Sequence, residues 1–188
     1  MDALLTALLG CLLGEMGDKS QLLVAALAAR YDRNGAVIAG VVAAAIANAA
    51  LSTLAGAWIG PMMGPDARLL FLALSILFLG AGLCWRASSP DLLTGWPTGP
   101  FLTTALGLFI LQFGDGPQFL ILGAATRSAQ PVLAGIGGTI GILAALLPAV
   151  LLRDRLFALL PIRPIRLSGG ALLLLTGATL ALSATGLL

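Results

Sequence analysis

The chain has 188 residues, of which 59% are hydrophobic and only 10% charged, against about 25% charged in a soluble domain. That marks an integral membrane protein, and the length leaves no room for a separate soluble domain. Net charge is +2 and histidine is absent, which excludes a nucleic-acid footprint, a histidine-based catalytic triad and the commonest zinc, copper and haem ligand.

A bilayer core needs ~20 apolar residues per helix. The apolar segments predict spans at 3–29, 35–60, 68–86, 99–126, 131–152 and 166–187. The first starts at Met1-Asp2 with no basic region ahead of it, so no cleavable leader is expected. Breaks fall at 30–35, 61–66, 86–98, 127–130 and 153–166. The connection 87–98 divides a first repeat (1–86) from a second (99–188).

Basic loop residues set orientation. With the N-terminus outside, the cytoplasmic loops hold Arg30, Arg33, Arg86, Arg153, Arg155, Arg163 and Arg166, and the outer loops hold only Arg68 and Arg127. Both termini are therefore expected outside. Trp58, Trp85 and Trp96 fall near span ends, as an interfacial aromatic belt requires. Cys11 and Cys84 lie in apolar runs and read as small buried hydrophobes. Asp2, Asp32, Asp66, Asp91 and Asp154 lie in loops or at the terminus and read as solvated.

Two charged motifs interrupt this apolar pattern. Glu15-Met16-Gly17-Asp18-Lys19-Ser20-Gln21 lies in the first span, and Gln112-Phe113-Gly114-Asp115-Gly116-Pro117-Gln118 in the fourth. An offset of 97 aligns them, and the same offset matches Arg30 with Arg127 and Gly80 with Gly177. Three spans per half is an odd number, so the halves must run in opposite directions. The expected fold is all-α: six transmembrane helices as two inverted three-helix repeats, with a site near the midplane between the motif helices. Gly10/Gly14, Gly56/Gly60 and Gly137/Gly141 have the spacing of close helix packing. They are read as packing features, and a homodimer is left open.

Ionisable residues at membrane depth cost roughly 2.5–3.5 kcal/mol each and point to function. On a continuous helix Glu15, Asp18 and Gln21 share a face, and so do Gln112, Asp115 and Gln118. If the faces meet, three carboxylates, three amides and the Ser20 hydroxyl form an all-oxygen cage. Such a cage suits a hard cation such as Mn²⁺, Ca²⁺ or Mg²⁺. The expected ligands are Glu15, Asp18 and Asp115, supported by Gln21, Gln112, Gln118 and Ser20. Gly17 and Gly114 permit a break in each helix, and Pro117 removes a backbone donor in the second. Lys19 has two readings: an ion pair with Glu15 four residues back, or a competitor of the cation for the carboxylates. Asp115 has no basic neighbour in its own motif. A carboxyl that gives up its proton as a cation arrives would couple the two movements. Asn48 lies mid-span in the second helix and either joins the cage or makes an interhelical hydrogen bond. Thr139 and Ser75 are weaker candidates.

The segment Glu15-Met16-Gly17-Asp18-Lys19-Ser20 resembles the Glu-x-Gly-Asp-(Lys/Arg)-(Ser/Thr) signature of the manganese/calcium cation transporter family, which includes Golgi, chloroplast and bacterial manganese transporters. The resemblance extends to the length, the six spans and the placing of one motif in each half. It implies export of Mn²⁺, or of Ca²⁺, by exchange with protons, with Glu15, Asp18 and Asp115 as cation ligands. The partners implied are the metal cation and protons. No nucleophile–base pair or cofactor motif is visible, so neither enzyme activity nor a permanently bound cofactor is expected, and the brevity of the chain and its lack of a targeting segment favour the lipid of a bacterial cytoplasmic membrane. The second motif departs from the signature: Gln112 replaces the glutamate, Gly116 the basic residue and Pro117 the hydroxyl residue. Two other readings stay open: a transporter of another solute, and a non-transporting membrane scaffold.

Overall fold

A computed structural model describes residues 1–85 and 89–187. Arg86, counted above as a cytoplasmic charge, lies outside them. The described residues are all-helical, with no strand: α1 (Asp2–Glu15), α2 (Lys19–Tyr31), α3 (Asn34–Ile59), α4 (Pro65–Cys84), α5 (Pro100–Gln112), α6 (Gly116–Arg127), α7 (Pro131–Leu152), α8 (Asp154–Leu159) and α9 (Ile162–Ala184), with one 3₁₀ turn at Gly60–Met62. Proline opens α4, α5 and α7, where its fixed φ suits the first turn and its missing N–H is not needed.

The helices α3, α4, α7 and α9 are each long and apolar enough to cross a membrane. A fifth crossing is available to α5 and α6 together, which meet at a 68° bend. The helices α1 and α2 join at the equivalent place, but Glu15, Asp18 and Lys19 make their junction too charged to meet the same standard by composition alone. Leu54, Ile110, Leu172 and Leu175 point outward, while Asn48, Thr103, Thr104 and Gln112 are buried. This inside-out distribution is that of a protein solvated by lipid.

The order of packing links the halves. Helix α1 packs along α7, and α5 along α3; α4 packs along α9. An added Cβ at Gly40 would lie 2.8 Å from the Phe101 carbonyl oxygen, and one at Gly137 would strike the Leu4 carbonyl. Both members of this pair are 97 residues apart. Likewise Gly80 faces Gly170, Leu173 and Leu174, and Gly177 faces Ala73 and Leu77. The contacts of Gly40 with Phe101 and of Gly137 with Leu4, and those of Gly80 with α9 and of Gly177 with α4, are thus reciprocal at an offset of 97. The three predicted glycine pairs serve the same end: Gly10 admits Leu120 and Gly14 admits Leu79, Gly56 and Gly60 admit α6, and Gly137 and Gly141 admit α1. Each is used inside the chain. Gly137→Val is therefore expected to destabilise the fold by about 1–3 kcal/mol or more, because backbone has to move to admit the side chain. Thermal unfolding in detergent checks this.

Three expectations change here. Cys11 is fully buried as expected, but Cys84, the last residue of α4, is exposed, although its sulfur lies beside Gly170 of α9. The connection 153–166 is not a plain loop. It contains α8, and α9 begins at Ile162, so Arg163 and Arg166 are helical. Asp32 is exposed but not simply solvated: the Arg153 guanidinium lies 2.6 Å from its carboxylate.

Candidate functional site

Each motif interrupts its helix, and the two interruptions share one backbone path. Met16 has φ −66° and ψ 117°, and Phe113 has φ −64° and ψ 119°. Gly17 and Gly114 then take φ +66° and +75°, in the left-handed region open to glycine and unfavourable for other residues. Asp18 and Asp115 return to extended backbone, both at φ −86°, and precede α2 and α6. The Gly17 N–H donates to Gln21 Oε1 at 2.9 Å, and the Gly114 N–H donates to Gln118 Oε1 at 2.9 Å. A glutamine four residues on thus satisfies the donor that each break exposes, as buried backbone requires.

These breaks overturn one step of the sequence argument. Glu15, Asp18 and Gln21 do not share a face of one helix, because Glu15 ends α1 and Asp18 precedes α2. The carboxylates instead project from two helix ends that meet.

Glu15 is 2% exposed, and its Oε1 accepts a hydrogen bond from Gln112 Nε2 at 2.8 Å. The two occupy equivalent positions in the motifs, so the amide that replaces a carboxylate in the second half supplies a donor to the carboxylate of the first. Asn48 extends the chain. Its Nδ2 donates to Gln112 Oε1 at 3.2 Å, and its Oδ1 accepts from Gln118 Nε2 at 2.6 Å. The interhelical hydrogen bond foreseen for Asn48 is therefore present twice. Gln21 Nε2 donates to the Ala145 carbonyl at 2.8 Å, which ties α2 to α7. Glu15 Oε2 and Ser20 Oγ are buried without a hydrogen-bond partner. Ser75 and Thr139 each donate to a carbonyl four residues back on their own helix.

The aspartates face other partners. Lys19 Nζ lies 3.5 Å from Asp115 Oδ2. Lys19 therefore pairs across the halves and not with Glu15, because the break separates it from the helix that ends at Glu15. Asp115 has no base in its own motif but receives one from the other. Asp18 Oδ1 lies 3.6 Å from an Arg166 guanidinium nitrogen. Arg166 is 8% exposed. It was missed from sequence because its stretch also carries Arg155 and Arg163 and reads as a basic loop. Among the described residues, no three carboxylate or thiol side chains converge closely enough to hold one ion together. Asp18, Lys19, Asp115 and Arg166 instead line a cavity of about 380 Å³ that continues past Leu79, Gly82 and Trp85 along the end of α4.

Comparison with known proteins shows what this chain is similar to. The family model described as "Divalent cation/proton antiporter GDT1" matches the chain twice, over residues 3–91 and 100–187. A protein of Vibrio cholerae serotype O1 named "Putative manganese exporter" is 32% identical over 186 residues, covering 95% of this chain and 90% of that protein. No solved structure matches.

Proposed function

We propose that this chain, which belongs to the divalent cation/proton antiporter family GDT1, exports Mn²⁺, with Ca²⁺ as the second candidate, from the bacterial cytoplasm by exchange with protons. The observation that carries this reading is Glu15 Oε2, a buried carboxylate oxygen with no well-formed hydrogen bond and only the Ser20 hydroxyl near it, beside two aspartates that are each held by a cationic side chain from elsewhere. An unpartnered oxygen at that depth is costly, so it points to a ligand that comes and goes.

In this reading α1–α2 and α5–α6 are the broken first spans of two inverted three-helix repeats, and the site lies near the midplane between them. Discontinuous helices meeting at the midplane are the usual construction of such sites. Support comes from the shared backbone path of the two breaks, the reciprocal glycine contacts and the two matches to one family model. With both termini outside, the end of α4 faces the cytoplasm, and the cavity along it is the entry path. Glu15, Asp18 and Asp115 are the charged ligands; among the described residues no three carboxylates converge, so they have to draw together around the ion, with the Ser20 hydroxyl beside them, while Gln112 turns its amide nitrogen to Glu15 and its oxygen to Asn48. Gln21 and Gln118 act indirectly, by fixing the two breaks. Hard oxygen donors favour Mn²⁺ or Ca²⁺ over softer metals. Lys19 is a tethered competitor that occupies Asp115 until the cation displaces it. Protons returning to the carboxylates would then release the cation on the outer side.

A differential thermal-unfolding assay tests the substrate. Mn²⁺ at about 100 times its Kd is expected to stabilise the protein by about 2.7 kcal/mol, with no such gain in Glu15→Gln. Equal stabilisation of both proteins would remove Glu15 from the site. Absence of any effect of Mn²⁺ or Ca²⁺ on the wild type would favour another solute.

A further inference from the structure

The two aspartates occupy equivalent positions, yet their counter-charges come from different places. Lys19 follows Asp18 and reaches Asp115. The same reach in the other direction would start from position 116 and end at Asp18. Position 116 is glycine, and it has little room to be anything else: an added Cβ would lie 2.7 Å from Leu79 Cδ1 and 3.3 Å from its Cα. Asp18 is nevertheless not left alone, because Arg166 arrives from α9.

We propose that Arg166 replaces the basic residue missing from the second motif and is the tethered counter-cation of Asp18, as Lys19 is of Asp115. Each aspartate is then neutralised by a side chain of the protein whenever the transported ion is away. This rests on the cation-transport reading above only for its consequence for the metal; the pairing stands on the geometry. Arg166 is also well placed to stay near. It donates to the carbonyls of Met16 at 3.3 Å, Gly82 at 3.2 Å and Trp85 at 3.1 Å, at the ends of α1 and α4, where the Gly82 carbonyl also accepts the Trp85 N–H. A cation so anchored can release Asp18 to an incoming ion without leaving the site. The plainer role is bracing alone, in which the guanidinium joins two helix ends and the carboxylate is incidental.

The two roles differ in what a charge-preserving change does. Arg166→Lys keeps the cation but loses most of the bracing, whereas Arg166→Gln loses the cation. The structure assigns Arg166 as a competitor, so Arg166→Gln is expected to bind Mn²⁺ about tenfold more tightly, the effect of removing one facing charge, and to turn over more slowly. Arg166→Lys is expected to keep the wild-type Kd. Restoring a base to the motif, as Gly116→Lys with Leu79→Ala to make room, is expected to return the Arg166→Gln protein towards wild-type binding and exchange. Weaker Mn²⁺ binding in both Arg166 variants, tracking lost thermal stability, would overturn the proposal. A metal-free arm separates it from the transport reading: a thermal-unfolding cycle of Asp18→Asn and Arg166→Gln. Non-additive losses support the pair, and additive losses overturn it. A wild type that binds no Mn²⁺ refutes the cation reading and leaves the cycle to decide the pairing.

Discussion

Asp18→Asn is expected to lower Mn²⁺ flux roughly 100-fold or more, because removing one charged partner of a bound, largely buried ion costs about 2–5 kcal/mol of binding. Asparagine keeps the shape of aspartate and is an equally good residue ahead of a helix, so α2 should still start at Lys19. Arg166 loses its carboxylate but keeps three carbonyl acceptors, which limits the cost to folding. Flux in proteoliposomes, read beside the unfolding temperature, separates the two effects. A variant that folds and still transports at the wild-type rate would remove Asp18 from the cation path.

Asn48→Leu should act on the fold first. Leucine is close in volume but neither donates nor accepts, so it removes the hydrogen bonds to both Gln112 and Gln118. Both glutamines are buried, and a stranded buried polar group costs about 1–3 kcal/mol. The expected loss is about 3 kcal/mol, measured by thermal or denaturant unfolding. Gln118 also pins the break at Gly114 and Gln112 donates to Glu15, so Mn²⁺ binding should weaken as well.

Much of this arrangement is legible in the sequence. The two motifs, their offset and the glycines that permit a break are local features, and the structure returns the same backbone path at both. The carboxylates are conspicuous because charge is rare in an apolar chain. What stays hidden depends on which helix ends meet. Lys19 suggests a partner four residues back only on an unbroken helix, and the break that Gly17 allows sends it across to Asp115. The two features lie next to each other in the motif, yet their joint consequence needs the second half in place. Arg166 is hidden for a different reason. It is 148 residues from Asp18 along the chain, in a stretch where other arginines mark a membrane side, and only the start of α9 at Ile162 carries it inward. Cys84 shows the reverse error: an apolar run predicts burial, but the last residue of such a run can lie in the open.

The most direct measurement is Mn²⁺ flux into proteoliposomes with and without an imposed pH gradient, for the wild type and Asp115→Asn. Antiport at a site shared by both halves predicts wild-type flux that follows the gradient and reverses with it, and a folded Asp115→Asn protein with no gradient-driven flux. Equal flux in both proteins, or wild-type flux indifferent to the gradient, would contradict it.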